Sequence, residues 1–254
     1  MALITFGAFT DPHYADRDVR IGRYYRDGIH RMTAAQAEFS AAETDFNVCL
    51  GDFIDLCADD RDVSPALAEV VALTAQAGRP TYFVAGNHDL AALGYPALAK
   101  ACAWPDEKGY YSFCLRGVRF IVLNTNFSGD SMELPHWNQT WLNTPQLAWL
   151  ETELANPEPA VVLAHANLDP RMREDGELDP HIVRNAADAR AILEASGKVR
   201  LVIQGHCHEG AYSEVNGITY LTLPAMVMGE NKNAAAIFTV ESDGSFTCRK
   251  LFRD

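Results

Sequence analysis

The sequence predicts a layered α/β fold with a partly mixed sheet. Three observations lead there. Strand-like and helix-like segments alternate through residues 3–205. The helices then stop and a strand-only tail follows. No internal repeat, low-complexity linker or compositional break interrupts the chain, so residues 1–254 are expected to form one domain.

The elements follow in order. "LITFGAF" (3–9) is a continuous apolar run, the pattern of a strand buried on both faces. "RYYRDGIHRMTAAQAEFSAAE" (23–43) is a long helix candidate, and "FNVCL" (46–50) a strand. Ser64-Pro65 reads as an N-cap followed by proline at the first helical position, opening a helix to about Ala77. "PTYFVAG" (80–86) is a strand and Leu90–Ala101 a helix. "YYSFCL" (110–115) and "RFIVLN" (119–124) flank Gly117 as a hairpin. Thr144-Pro145 opens a second capped helix, through about Leu154. "AVVLAH" (160–165) and "VRLVIQG" (199–205) are strands on either side of a helix at "NAADARAILEAS" (185–196). "GAYSEV", "GITYLTL", "AAAIFTV" and "SFTCRKLF" make the tail. Residues 125–143 and 166–183 resist assignment; loops this long in a compact domain are usually functional or disordered, and both are candidates to cap a site.

Composition narrows the classes. A net charge of −13 argues against a broad nucleic-acid or anionic-membrane surface, and any phosphate-binding site must be locally positive against that background. "MALITFGAFTD" lacks a basic n-region, an apolar h-region and a cleavage site, and no stretch is apolar enough to span a bilayer. Six scattered cysteines without a CxxC pair fit reduced thiols in a cytoplasm better than a disulfide framework. Asn138-Gln139-Thr140 matches a glycosylation pattern and is read as chance.

Polar clusters recur where the predicted strands end. Asp11 and His13 follow the first strand, Asp52 and Asp55 the second, and Asn87, His88 and Asp89 the third. His165 ends the "AVVLAH" strand, and His206 and His208 follow the next one in "GHCH". Ligands gather at the carboxyl ends of strands in open α/β sheets. Singly, each cluster has a structural reading: a turn at Asp11-Pro12, helix caps at Asp52 and Asp55, a tight turn at Asn87, a buried His165. Together they outline a metal site, because carboxylate, carboxamide and neutral imidazole are all metal ligands.

Asp-x-His, Gly-Asp-x-x-Asp, Gly-Asn-His-Asp, His and Gly-His-x-His, in this order across residues 11–208, resemble the calcineurin-like metallophosphoesterases. The resemblance implies a four-layer α/β/β/α sandwich of two mixed β-sheets flanked by helices, and a site for two divalent metals. It assigns one metal to Asp11, His13, Asp52 and His208, and the other to Asp52, Asn87, His165 and His206, with Asp52 bridging. It makes His88 a catalytic group beside the leaving oxygen and Asp55 its orienting partner; Asp89 is expected to be structural. Alternate side chains of an extended segment point the same way, so Cys207 should point away from the metals. Mixed N/O ligands suit Mn, Fe, Zn or Co better than Ca or Mg, with Mn favoured, and such a pair lowers the pKa of a bridging water to give a nucleophilic hydroxide.

The substrate signals are of finer grain. Leu56 and Cys57 follow the second motif and Asp89 ends the third, where the phosphoprotein phosphatases have Arg and Glu. Tyr14-Ala15-Asp16 followed by Arg23-Tyr24-Tyr25-Arg26 is similar to the manganese-dependent ADP-ribose/CDP-alcohol diphosphatases. Those enzymes carry Gln where His13 stands, and His13 matches cyclic-nucleotide and glycerol phosphodiesterases instead. Arg23 and Arg26, three apart, would share a helix face and hold a second phosphate, or form a solvated basic face. Trp137 and Trp141 are candidates to stack on a base. The expected substrate is a small-molecule phosphodiester or nucleoside diphosphodiester; a phosphomonoester is the alternative. A catalytically silent scaffold should have lost ligands or His88, and a structural metal site should be a closed Cys-rich tetrahedron; neither fits these residues.

Overall fold

A computed structural model describes residues 4–58, 62–229 and 234–251. It contains two mixed sheets. The first has the order β11-β10-β1-β2-β3 and the second β4-β5-β6-β7-β9-β8. In the first, β1 (Ile4–Phe9), β2 (Phe46–Cys49) and β3 (Thr81–Phe83) are parallel, β10 (Ala235–Val240) pairs antiparallel with β1, and β11 (Phe246–Lys250) pairs antiparallel with β10. In the second, β5 (Val118–Val122), β6 (Ala160–Leu163), β7 (Val199–Gln204) and β9 (Ile218–Thr222) are parallel, with antiparallel β4 (Tyr111–Leu115) and β8 (Ala211–Val215) at the edges.

Alternation along the strands builds the layers. Ile4, Phe6 and Ala8 of β1 face the second sheet and pack with Phe120, Val161, Leu163 and Leu201. Phe9 faces the other way, onto Met32 and Phe39 of α1 (Gly28–Ala41), beside Val70 of α2 (Ser64–Gln76) and Leu98 of α3 (Asn87–Ala101). On the far side, Val162 and Val202 meet Leu150 of α4 (Thr144–Leu154) and Leu193 of α5 (Ala186–Ser196). The result is the expected four-layer sandwich, helix–sheet–sheet–helix. Phe6 lies at its centre, stacked on Phe46 (4.9 Å) and Phe238 (5.1 Å) and edge-on to Phe120 (5.5 Å). Burying one such ring contributes about 1.5–3 kcal/mol.

Several local expectations need correction. The helix expected from Arg23 starts at Gly28, after one 3₁₀ turn at Tyr25–Asp27. Ile21 and Gly22 have φ of 52° and 71°, and Arg23 pairs its backbone with Arg20 and Met228, so the chain is folded back there rather than coiled. Ser64 is the first helical residue of α2, not its cap; Asp62 Oδ1 accepts from Ser64 N and Oγ at 2.9 and 2.7 Å. Asn143, not Thr144, caps α4, its side chain accepting from Gln146 N. α3 begins at Asn87 rather than Leu90, and Asp89 Oδ2 accepts from Gly86 N at 3.1 Å across its first turn. The segments 125–143 and 166–183 carry only isolated bridges, among them Asn126–Trp141 and Asn167–Ile182. All six cysteines are free thiols. Among the described residues, no helix is long and apolar enough to cross a membrane.

Candidate metal centre

The ends of β1, β2, β3, β6 and β7 converge, and their turns carry the polar clusters. Asp11, His13, Asp52 and His206 hold left-handed backbone, with φ of 52°, 44°, 51° and 68°. Such conformations cost about 1–3 kcal/mol each and persist only where surrounding structure fixes them. Here the fixing bonds are visible. Asp11 N donates to Gly51 O (3.1 Å), His13 N to Asp52 O (2.9 Å) and His206 N to Asp11 Oδ2 (3.0 Å). Two glycines let these turns close. A Cβ on Gly86 would lie 2.0 Å from Asp52 N, and one on Gly205 would lie 2.1 Å from Thr10 Oγ1.

The converging side chains form two groups that share Asp52. In the first, Asp11 Oδ1 lies 3.5 Å from the Nε2 atoms of both His13 and His208, which are 3.2 Å from each other. In the second, His165 Nε2 lies 3.2 Å from Asn87 Oδ1, and the ligand atoms of Asp52, His165 and His206 are all within 4.8 Å. Asp52 Oδ2 stands between the groups, 3.6 Å from His13 Nε2 and 3.4 Å from His165 Nε2. Its Oδ1 accepts from His88 N at 2.8 Å. Atoms bound about 2.0–2.2 Å from one cation lie roughly 3–3.6 Å apart, which is the spacing seen here.

Hydrogen bonding behind the groups decides what their front atoms can do. His165 Nδ1 donates to Leu50 O at 2.8 Å, and His13 Nδ1 donates to Asp55 Oδ2 at 3.1 Å. Each neutral ring therefore presents an Nε2 lone pair towards carboxylate oxygens, acceptor against acceptor. Asp11 Oδ1 and His206 Nε2 are buried without a hydrogen-bond partner. A cation in each group would satisfy these atoms, and the bonds behind the rings are of the kind that orients metal-binding imidazoles. Without one, protons serve. Burial opposes a charge on His13, but Asp11 and Asp55 hold its pKa up at about 10. Burial likewise opposes charge on His165, and Asp52 raises it to about 9. Burial, with charged His165 nearby, pushes His206 down to about 3.

Two neighbours complete the site. Asp55 Oδ1 meets His88 Nδ1 at 3.1 Å while its Oδ2 holds His13, so Asp55 serves both rings. Asp89 faces away from the metal groups and accepts from Asp52 N (2.7 Å) and Ile54 N (3.0 Å), the structural part expected of it. Burial, with the Asp52 charge, raises its pKa to about 8. Cys207 joins neither group, although it lines the cavity that opens over them; its thiol lies 3.8 Å from Arg171. The reason differs from the extended segment expected of "GHCH": at His206 the chain turns through φ 68°, which sends His206 to one group and His208 to the other.

The model of the calcineurin-like phosphoesterases matches residues 4–210. The chain belongs to that family. It is a metal-dependent phosphoesterase, and the family together with the Asp/His groups points to a dinuclear divalent metal centre. Among curated proteins it is similar to the 3',5'-cyclic adenosine monophosphate phosphodiesterase CpdA of Escherichia coli, 26% identical over 217 residues that cover 85% of this chain and 72% of that one. It is also similar to the serine/threonine-protein phosphatase CPPED1 of Rattus norvegicus, 28% identical over 155 residues, 58% of this chain and 46% of that protein. Among solved structures, a dimetal phosphatase from Danio rerio shares the fold with a TM-score of 0.80 at 19% identity, over 97% and 98% of the two chains.

The phosphoesterase opens to solvent at a cavity of about 400 Å³ over the metal groups, lined by Asp52, Asn87, His88, His206 and His208. Arg23 lines it too. Arg26 does not: with the helix starting later, its guanidinium is turned to Asp16 (2.7 Å) and Asp18 (2.6 Å) at the surface. Trp137 lines the cavity, but Trp141 does not; residue 141 is held by backbone pairing to Thr125 and Phe127. His181, from 166–183, reaches the same wall as Trp137, from 125–143, so each long loop delivers one ring to the opening. Glu209 and Met228 were missed. Glu209 adjoins His208 in sequence and offered a signal, whereas Met228 arrives only through the fold, where buried Arg31 donates to the carbonyls of Met226, Met228 and Gly229.

Proposed function

We propose that this phosphoesterase hydrolyses a small-molecule phosphodiester or nucleoside diphosphodiester. Asp11, His13, Asp52 and His208 would hold one ion, and Asp52, Asn87, His165 and His206 the other. When bound, the ion pair supplies Lewis acidity and lowers the pKa of water, and Mn is the favoured metal, with Fe or Zn as alternatives. The observation that carries the reading is the single oxygen of Asp52 lying 3.4–3.6 Å from an imidazole of each group.

The chain's own residues do the rest. His13 and His165 are locked in the tautomer that offers Nε2 to the site. His88, one third exposed and facing the cavity, donates a proton to the leaving oxygen, and Asp55 orients its ring. Arg23 attracts the anionic substrate into an otherwise acidic protein and, without Arg26, is the one expected guanidinium that does so. The cytoplasm is the proposed setting, on the strength of the six free thiols.

Cyclic-nucleotide hydrolysis is a second reading, favoured by His13 and by the likeness to CpdA. The test is hydrolysis of bis(p-nitrophenyl) phosphate by metal-stripped protein reloaded with Mn, Fe or Zn, followed by ADP-ribose, CDP-choline, 3′,5′-cAMP and p-nitrophenyl phosphate. The proposal expects metal-restored activity and higher kcat/KM on diesters or diphosphates than on the monoester. Metal-independent activity, or preference for the monoester, would contradict it.

A further inference from the structure

We infer that Trp137 and His181 form a nucleobase-stacking subsite on the wall of the cavity beside His206. This rests on the phosphodiester reading above and assigns the part of the substrate that the metal groups do not touch.

The two rings come from different loops and meet at 5.3 Å with a 43° angle between their planes. They are therefore a tilted wedge, in which neither ring covers the other's face. Trp137 also lies 6.0 Å from the His206 ring, and His181 lies 5.4 Å from it. The wall thus starts at a proposed metal ligand and continues along the lining of the same cavity. Trp137 is 39% exposed and lines the cavity, so its ring is open to a ligand there.

The His181 ring is held in place, and Trp137 lies against it. Asp179 Oδ1 accepts from His181 N at 2.9 Å and pairs with His181 Nδ1 at 2.8 Å. The 166–183 segment is itself anchored, with Arg171 pairing to Asp169 (2.6 Å) and donating to Asn167 (2.7 Å). A pre-set aromatic face spends little entropy on binding.

The margin of the wall selects a base over an aliphatic group. With Nδ1 turned to Asp179, His181 leaves its Nε2 edge to the cavity, and Glu209 adds carboxylate acceptors to the same lining. An acyl chain would leave these acceptors unpaired, whereas the amino edge of a base can donate to them. A cavity of about 400 Å³ is of the size that encloses a nucleotide-sized ligand.

The experiment compares two esters with the same leaving group: the p-nitrophenyl ester of adenosine 5′-monophosphate and p-nitrophenyl methyl phosphate. Wild type, Trp137→Ala, Trp137→Phe and His181→Ala are assayed as Mn-loaded full-length proteins. The subsite predicts that wild type favours the adenosine ester, and that Trp137→Ala lowers the adenosine-to-methyl ratio of kcat/KM by about five- to a hundredfold, the range for losing one base stack. Trp137→Phe should restore most of the ratio, and His181→Ala should lower it as well. A second readout needs no turnover: AMP should quench tryptophan fluorescence in wild type and much less in Trp137→Phe. A wild type indifferent to the adenosine moiety, or a ratio unmoved by Trp137→Ala, overturns the subsite. If neither ester is hydrolysed with any metal, the phosphodiesterase reading has failed, and the quenching result alone decides the subsite.

Discussion

Asp55 holds two imidazoles at once, one on each carboxylate oxygen: His13 on Oδ2 and His88 on Oδ1, both at 3.1 Å. The two rings are themselves edge to face, with centroids 4.6 Å apart. In the proposed mechanism one residue would therefore link metal retention to proton transfer. His88→Ala should keep both metals and lose about 10²–10⁴-fold in turnover on substrates with poor leaving groups. The loss should shrink with p-nitrophenolate, which leaves without a proton; an equal loss on both would make His88 a positioning residue. Asp55→Asn should cost turnover and, in addition, weaken metal binding about 10–100-fold, the usual effect of removing an orienting partner. Metal titration of the two variants separates the roles, and an Asp55→Asn protein with wild-type metal affinity would break the link.

At the scale of elements, the turns after β1, β2, β3 and β7 matter more than the strands that carry them. The backbone at Asp52 passes so close to Gly86 that an added Cβ would overlap both its N and its Oδ1, the latter at 2.2 Å. Gly86→Ala should therefore destabilise the protein by several kcal/mol, in the manner of an overpacked core, and misplace Asp52. A drop in Tm of several degrees with loss of metal is the expected result, and a wild-type Tm would count against the close approach. These turns also mark the limit of sequence reading. The strand runs and the motif residues that the fold brings together were legible, because hydrophobic period and short motifs are local signals. Left-handed φ at Asp11, His13, Asp52 and His206 was not, since none of these residue types requires it. Arg26 was misplaced because two residues upstream of the helix, Ile21 and Gly22, redirect the chain. Trp141 and Trp137 are both aromatic residues of one loop, and only tertiary pairing decides which faces the cavity. The Asp55 link to His13 spans 42 residues and has no local trace.

At the scale of the molecule, a chain of net charge −13 concentrates its cationic demand at one place. In metal-free protein that demand falls on His13 and His165, with pKa values raised from 6.5 to about 10 and about 9 against the opposing effect of burial. Because the folded values are raised, the stabilisation from these groups is full below about 6.5 and is lost as pH climbs through 9–10. Metal binding requires the same rings neutral, so affinity should strengthen with pH over that window and loading should release protons. The difference in Tm between metal-loaded and EDTA-treated protein should therefore widen between pH 6 and pH 8.5, and calorimetry in buffers of different ionisation enthalpy should register the released protons. A difference that narrows with pH would place the ligands elsewhere. The central claim is that one carboxylate, Asp52, joins two metal ions. Metal content per chain, measured after Mn loading and desalting for wild type and Asp52→Asn, tests it most directly. Two ions per chain are expected in wild type, clearly fewer in Asp52→Asn with both sites affected, and a matching loss of bis(p-nitrophenyl) phosphate hydrolysis; one ion per chain in wild type, or two ions and normal turnover in the variant, would rule out a bridging Asp52.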